Sequence, residues 1–115
     1  MISVGIVGAS GYTGEELARL LANHPEVELK SLTSKTYEGK EISSVFKLGT
    51  KISGTFKSPT IENLKDCNVV FFATPNGVAM NMARDLLDSN VKIIDISADF
   101  RLKKHEQYNQ WYDME

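Results

Sequence analysis

Three glycines, Gly8, Gly11 and Gly14, stand at a spacing of three between a short apolar run and a segment of helical periodicity. Glycine costs backbone entropy, so such a cluster indicates a turn or a close approach that requires it. We expect Gly8 to end a strand, Gly11 to let a ligand approach the backbone, and Gly14 to lie in the first helical turn, against the sheet. The pattern is G-x-x-G-x-x-G rather than the commoner G-x-G-x-x-G. It predicts a pyrophosphate site at a helix N-terminus.

The segment "LTSKT" lies at the end of the next predicted strand. In dinucleotide-binding folds this position distinguishes NAD from NADP. NAD-specific folds place a carboxylate there for the ribose 2′-hydroxyl, whereas a 2′-phosphate needs donors and positive charge. Thr33, Ser34 and Lys35 offer two hydroxyls and an ammonium group. This segment favours NADP, although a lysine here is also compatible with an ordinary solvated loop.

Two further segments follow predicted strands at the same edge of the sheet. "ATPNG" contains Ala73, Thr74, Pro75 and Asn76. These residues form a stiff, open edge suited to the nicotinamide-side ribose, or else a simple strand-to-helix turn. "DISADFR" contains Ser97 and Arg101, and an arginine there suits bidentate contact with a phosphate or carboxylate. A local surface pair between Asp99 and Arg101 is the alternative.

The elements that position these residues alternate between strand and helix. Strands are predicted at Ser3 to Val7, Val27 to Leu32, Val69 to Ala73 and "VKIIDIS", with a brief one around Gly54 to Lys57. Helices are predicted from the glycines to His24-Pro25, near Lys40 to Phe46, and from Val78 to Asp88. The alternation predicts an α/β fold, a Rossmann-like doubly wound and mostly parallel sheet with helices on both faces.

Periodicity also assigns the two faces of the longer helices. On the first helix, Leu17, Leu20 and Leu21 are expected to face the sheet. Glu15, Glu16 and Arg19 are expected on the solvent side. On the later helix the apolar side is predicted to contain Val78, Met82, Ala83, Leu86 and Leu87.

Composition limits the partners. The 115 residues, 42% of them hydrophobic, suffice for one compact domain, residues 1–115. A net charge of -2 without a basic block argues against nucleic acid as a partner, and the start "MISVGIVG" has neither a signal peptide nor a membrane span.

The single cysteine, Cys67, fits a reducing, cytoplasmic setting, and its place before a strand predicts a buried hydrophobe rather than a nucleophile. No metal-ligand spacing is present.

Three motifs, "GIVGASGYTGEELARLL", "LTSKTYEGK" and "IIDISADFRL", resemble the N-terminal part of the N-acetyl-γ-glutamyl-phosphate reductases of arginine biosynthesis. The resemblance runs from Ser3 to Tyr112. The G-Y-T-G and S-A-D-F-R runs distinguish this family from aspartate-semialdehyde dehydrogenases. The resemblance implies that NADP is bound by Gly8, Ser10, Gly11, Tyr12, Thr13, Ser34, Lys35, Ala73 to Asn76 and Ser97. It also implies that Arg101 faces the acyl phosphate. Asn76 departs from the histidine that many members carry.

The family reduces an acyl phosphate to an aldehyde with NADPH, through a thioester on a cysteine, and releases phosphate. That cysteine normally lies further along than Glu115, so we expect this chain to be the cofactor-binding part of a longer, homo-oligomeric enzyme and to be inactive alone. Its partners are then NADPH and an acyl phosphate. Two alternatives stay open: the carrier-bound aminoadipyl phosphate of lysine biosynthesis as substrate, and a non-enzymatic NADP-binding sensor.

Overall fold

The computed structural model describes residues 1–73 and 78–96. These residues form four strands, β1 (Ile2–Val7), β2 (Val27–Thr33), β3 (Val69–Phe72) and β4 (Lys92–Asp95), and four helices, α1 (Tyr12–Ala22), α2 (Ile42–Val45), α3 (Ile61–Leu64) and α4 (Val78–Asp88). None of these helices is long and apolar enough to cross a bilayer.

The sheet has the order β2-β1-β3-β4, and every neighbouring pair is parallel. After β1 the chain crosses to one side to form β2, and it later returns to the other side of β1 to form β3. Open α/β sheets bind ligands outside the carboxyl ends of the strands, at the point where the strand order reverses. Here that point lies between β1 and β3.

Apolar side chains pack on both faces of the sheet. On one face, Val4 and Ile6 of β1 pack with Ala18 of α1 and with Ile42 of α2. On the other face, Val7 packs with the cluster Leu64, Cys67, Val70, Phe72, Leu86 and Val91, which brings in α3 and α4. Alternate residues of β1 are thus buried on opposite faces, as expected for a strand covered by helices on both sides. The predicted doubly wound α/β fold is confirmed.

The structure corrects several details of the prediction. Glu15 is buried on α1, with 1% of its surface exposed, whereas Leu20 is 59% exposed. Leu87 of α4 is also 58% exposed rather than packed. The segment expected as a strand at 54–57 forms only isolated bridges, Thr33 with Lys57 and Glu41 with Thr55. Periodicity located both helices correctly. On each of them, however, the predicted buried face is about one residue away from the observed one.

Helix α3 was not predicted. It is a single turn of four residues, too short to show a period. Its start is marked by Thr60, whose hydroxyl accepts a hydrogen bond from the backbone N–H of Asn63. This is a helix N-cap, and the sequence "TIEN" carries its signal.

Helix α1 lies unusually close to the end of β1, at Gly14. A Cβ atom added to Gly14 would stand 2.6 Å from both the Cα of Ala9 and the carbonyl oxygen of Gly8. Both of these neighbours are backbone, which cannot move aside as a flexible side chain can. Gly14 is therefore required by the packing of α1 on the β1–α1 loop, whereas the sequence predicted a close approach to the sheet.

We expect Gly14→Ala to lower the free energy of unfolding by about 2 kcal/mol or more, because overpacking against backbone outweighs the better helix propensity of alanine. Urea denaturation followed by circular dichroism measures this change. Gly11→Ala is the matched control, since a Cβ there meets only the Gly8 oxygen, at 4.0 Å, and should change the stability by less than about 1 kcal/mol. Equal stability of the two variants would contradict the packing role of Gly14.

Candidate functional site

The carboxyl ends of the four strands lie side by side. In the sheet register Val7 of β1 stands beside Thr33 of β2 and Phe72 of β3, and Phe72 stands beside Asp95 of β4. The residues that follow the strands therefore meet at one edge. Gly8, Ser34 and Ala73 all lie there, and the backbone N–H of Ala73 donates to the carbonyl of Val7 at 2.8 Å. The structure thus brings the described members of the predicted site together.

The β1–α1 loop presents the beginning of α1 without a side-chain cap. Gly8 has a φ of 82°, in the left-handed region that glycine adopts without strain. Gly11 is the N-cap residue with extended backbone, φ -80° and ψ 173°, and no side chain caps the helix. The first N–H groups of a helix have no partner within the helix. Without a cap, they and the positive end of the helix dipole are available to an anion.

The turn itself does not require glycine at position 11. Its φ is accessible to any residue, and an added Cβ would meet no protein atom closer than 4.0 Å. Neither backbone conformation nor packing therefore requires glycine at this position. A side chain here would instead project into the open space in front of the helix N-terminus, where a bound phosphate would lie. The geometry fits a ligand that closely approaches the backbone at Gly11.

The loop after β2 is fixed to the loop after β1. The backbone N–H of Ala9 donates to the carbonyl of Thr33 at 3.0 Å, and the hydroxyls of Ser10 and Ser34 share a hydrogen bond of 3.0 Å. The Ser34 hydroxyl also accepts from the backbone N–H of Tyr37 at 3.0 Å, which closes the following turn. The predicted pyrophosphate and 2′-phosphate segments are therefore held in a fixed relation to each other.

The three residues of the "TSK" segment have different surroundings. Thr33 is fully buried and donates its hydroxyl to the carbonyl of Ile6 at 3.1 Å, so this hydroxyl serves the sheet. Ser34 is also buried and braces its own loop. Lys35 is exposed, at the same edge as the β1–α1 loop. The ammonium group of Lys35 is thus accessible, whereas the hydroxyls of Thr33 and Ser34 form hydrogen bonds within the protein.

Tyr12 and Thr13 form the exposed first turn of α1. The Tyr12 ring is 65% exposed, and the ammonium group of Lys47 lies 5.9 Å from the centre of this ring. That separation is within the range of a cation–π contact. A shallow depression at this end of the helix is lined by Ser10, Gly11, Tyr12, Glu15 and Lys47.

The sequence interpretation missed two of these residues. Glu15 was assigned to the solvent side, yet its carboxylate accepts hydrogen bonds from backbone N–H groups of the 47–50 loop. Lys47 follows the helix predicted near Lys40 to Phe46 and had no predicted role. Backbone amides of a distant loop have no sequence signature, so no pattern in the chain could have paired them with Glu15.

Cys67 is a free, buried thiol in the cluster on the face of the sheet that α3 and α4 cover. It precedes β3, at the amino edge of the sheet and opposite the candidate site. Burial raises the pKa of this thiol above its ordinary value, although Lys30 and a hydrogen bond with Ser31 act against the shift. A raised pKa keeps the thiol protonated and unreactive. The predicted burial of Cys67 is confirmed.

Five predicted site residues lie outside the described residues: Thr74, Pro75, Asn76, Ser97 and Arg101. Within residues 1–73 and 78–96, no group of three or more His, Cys, Asp or Glu side chains could hold a metal ion. The described part of the site is thus built from helix amides, glycines, hydroxyls and lysines, which is a donor set for phosphates.

A parallel sheet, a glycine-rich first loop and an uncapped helix at its switch point define a dinucleotide-binding α/β domain. Comparison with known proteins agrees. The family model described as "Semialdehyde dehydrogenase, NAD binding domain" matches residues 3–111. The chain belongs to this family.

Among curated proteins, the chain is similar to N-acetyl-gamma-glutamyl-phosphate reductases. The protein of Thiobacillus denitrificans is 53% identical over the whole chain, that of Polynucleobacter asymbioticus 52%, and that of Acinetobacter baumannii 51%. The chain spans about a third of the length of these relatives, 33–34%. These similarities confirm the resemblance found in the sequence motifs.

Solved structures agree on the fold. The chain superposes on aspartate semialdehyde dehydrogenase with NADP from Candida albicans with a TM-score of 0.73 and 22% identity, over 90% of this chain and 32% of that one. Aspartate semialdehyde dehydrogenase II from Vibrio cholerae, with its ligand ASA, gives a TM-score of 0.63 and 23% identity, over 90% and 30% of the two chains. At these identities the likeness establishes the fold.

We expect Gly11→Val to abolish dinucleotide binding while the fold is retained, because the added side chain fills the space in front of the helix N-terminus. Calorimetric titration with NADPH should show a loss of more than about 100-fold in affinity, or about 2.7 kcal/mol. Circular dichroism should be unchanged. Ala22→Val, at the exposed far end of α1, is the control and should bind normally. Normal binding by Gly11→Val would mean that the glycine serves the turn alone.

Proposed function

We propose that residues 1–115 form the NADPH-binding domain of an N-acetyl-γ-glutamyl-phosphate reductase. Such an enzyme reduces N-acetylglutamyl 5-phosphate, an acyl phosphate, to the semialdehyde and releases inorganic phosphate. The observation that carries the proposal is the uncapped start of α1 behind Gly11, where neither packing nor backbone conformation requires glycine. It supports a pyrophosphate site in a chain that is 53% identical to a reductase of that name.

The choice of NADPH over NADH rests on the end of β2. In NAD-specific folds a carboxylate near this position binds the ribose 2′-hydroxyl, and it would repel a 2′-phosphate. Here the segment is Thr33, Ser34 and Lys35, and only Lys35 is exposed. Since Ser34 is bonded to Ser10 of the first loop, the Lys35 backbone is held beside the proposed pyrophosphate site. The Candida albicans structure, which contains NADP, supports the same choice.

The bound dinucleotide would supply the hydride, and the described residues would hold and orient it. The amides at the start of α1 would bind the pyrophosphate, together with Ser10, Gly11, Tyr12 and Thr13. Lys35 would bind the 2′-phosphate. The nicotinamide side would lie towards Ala73, at the switch point between β1 and β3. We propose that this side of the site continues through Thr74, Pro75, Asn76 and Ser97. Arg101 would face the acyl phosphate. The full-length enzyme would be a homo-oligomer.

We expect Lys35→Glu to remove or reverse the preference for NADPH over NADH. Replacing a charge-assisted contact with the 2′-phosphate by a like charge should cost about 1.5–3 kcal/mol of NADPH binding and leave NADH binding little changed. Calorimetric titrations with both cofactors measure this difference.

The control for Lys35→Glu is Lys92→Glu, which makes the same change of charge at the exposed start of β4, on the opposite edge of the sheet. It should leave both affinities unchanged. If wild type binds the two cofactors equally, or if Lys35→Glu leaves their ratio unaltered, the proposed 2′-phosphate site at Lys35 is wrong.

The reductase activity can be tested in a chimera. Residues 1–115 replace the matching third of the Thiobacillus denitrificans relative, whose remaining two thirds are kept. With N-acetylglutamate semialdehyde, inorganic phosphate and NADP, we expect NADPH formation at a rate within about tenfold of the intact relative. A domain that is 53% identical to the one it replaces should hold the cofactor in the same position. The absorbance of NADPH reports the reaction.

The same chimera carrying Gly11→Val should fold and be inactive at every NADP concentration that is used, because the cofactor is not bound. A chimera that folds, binds NADPH and yet forms none would contradict the assignment of residues 1–115 to this reductase. A chimera in which Gly11→Val stays active would contradict the proposed cofactor site.

A further inference from the structure

We propose that Lys47 is a further phosphate-binding residue of the dinucleotide site, and that the buried carboxylate of Glu15 positions it there. This inference rests on the proposed function, because it adds a cation to the pyrophosphate site at the start of α1. Neither residue carried a binding role in the motif analysis.

Glu15 lies in the first turn of α1, with 1% of its surface exposed. Its Oε1 accepts from the backbone N–H groups of Lys47 at 2.8 Å and Leu48 at 3.1 Å, and its Oε2 accepts from those of Leu48 at 3.0 Å and Thr50 at 3.3 Å. Burial of a carboxylate is costly unless hydrogen bonds replace its hydration. Bonds from N–H groups to a charged acceptor are among the stronger ones in proteins. The 47–50 loop is thereby fastened to α1.

This attachment decides where the Lys47 side chain begins. Its backbone N–H is bonded to the side chain of Glu15, which lies one helical turn after the N-cap Gly11. The side chain then extends to Tyr12, where the ammonium group lies 5.9 Å from the ring centre. Lys47, Ser10 and Gly11 line the same depression. A cation is thus held at the edge of the space that Gly11 leaves open.

The ammonium group of Lys47 has no carboxylate partner among the described residues. In that part of the chain the ion pairs are Arg19 with Glu16 and Lys65 with Glu62. Glu15, the acid that lines the same depression, already has both of its oxygens occupied by backbone N–H groups. The Lys47 ammonium therefore lies at the start of α1 without an ion pair, beside backbone N–H groups that no side chain caps. A phosphate diester would bind to both.

The position of Lys47 also predicts that this residue does not distinguish NADPH from NADH. It lies at the start of α1 and shares its depression with Ser10 and Gly11, whereas Lys35 follows β2. A group that binds the pyrophosphate contacts a part common to NADPH and NADH. Lys47 should therefore contribute equally to both affinities, in contrast to Lys35.

The experiment is calorimetric titration of Lys47→Met with NADPH and NADH at low ionic strength. Methionine keeps the unbranched stem and removes the charge. We expect both affinities to fall by about 10-fold or more, the loss of one charge-assisted bond, and the difference from wild type to shrink in high salt. Lys51→Met, an exposed lysine of the same region without a place in the site, is the matched control and should bind as wild type does.

The positioning role of Glu15 is tested by a double-mutant cycle with Glu15→Gln. The carboxamide keeps the shape but turns an NH2 group towards the loop amides, so it should lower NADPH affinity severalfold and speed hydrogen exchange at Lys47, Leu48 and Thr50. In the Lys47→Met background the same change should lower affinity by less than about twofold. Glu15→Asp, which shortens the reach by one methylene, is the second variant if Glu15→Gln does not fold.

The outcomes separate this inference from the proposed function. If wild type binds NADPH and Lys47→Met binds it equally well, Lys47 is not a phosphate ligand and the dinucleotide site stands without it. A loss confined to NADPH would place Lys47 at the 2′-phosphate and overturn the assignment to the pyrophosphate. If Glu15→Gln costs the same factor in both backgrounds, Glu15 does not act through Lys47. A wild type that binds neither cofactor would overturn the proposed function itself.

Discussion

The contact between α1 and the end of β1 at Gly14 is the constraint on which the rest of the site depends. Only a residue without Cβ lets the helix lie against the Gly8 carbonyl and the Ala9 backbone. This contact sets the direction of α1, and hence the point at which its unpaired N–H groups open towards the edge of the sheet. Gly8 adopts a left-handed conformation, Gly14 permits the close packing of α1, and Gly11 leaves the space at its Cβ position open.

The buried carboxylate of Glu15 is the second constraint. A charge with 1% exposure is tolerated because three backbone N–H groups replace its water, and because it lies in the first turn of α1, where the dipole favours a negative group. In this way a helix that must leave its own first amides free for a ligand is still tied to a neighbouring loop. The Glu15 carboxylate is thereby bonded within the protein, while the side chains of Lys35 and Lys47 stay exposed.

The fold was largely predictable. Runs of apolar, β-branched residues marked three of the strands within a residue or so, and proline at position 25 marked the end of α1, because both signals are local. The positions of Gly11, Ser34 and Lys35 at one edge also followed, since parallel strands carry their carboxyl ends to the same side. The site was predicted less fully. Thr33 could be recognised as a hydroxyl, but whether that hydroxyl faces a ligand or the Ile6 carbonyl depends on the pleat of a strand in the finished sheet.

The sequence by itself determined the α/β class, the glycine motif and the lack of a carboxylate within "LTSKT" at the end of β2, because each depends on residues that are neighbours along the chain. Only the tertiary structure decided that Leu20 is exposed and Glu15 buried, and that Lys47 stands at the start of α1. These facts depend on a loop more than thirty residues away, whose backbone amides bind Glu15. Every residue but proline carries such an amide, so its partner can be identified only when the chain is folded.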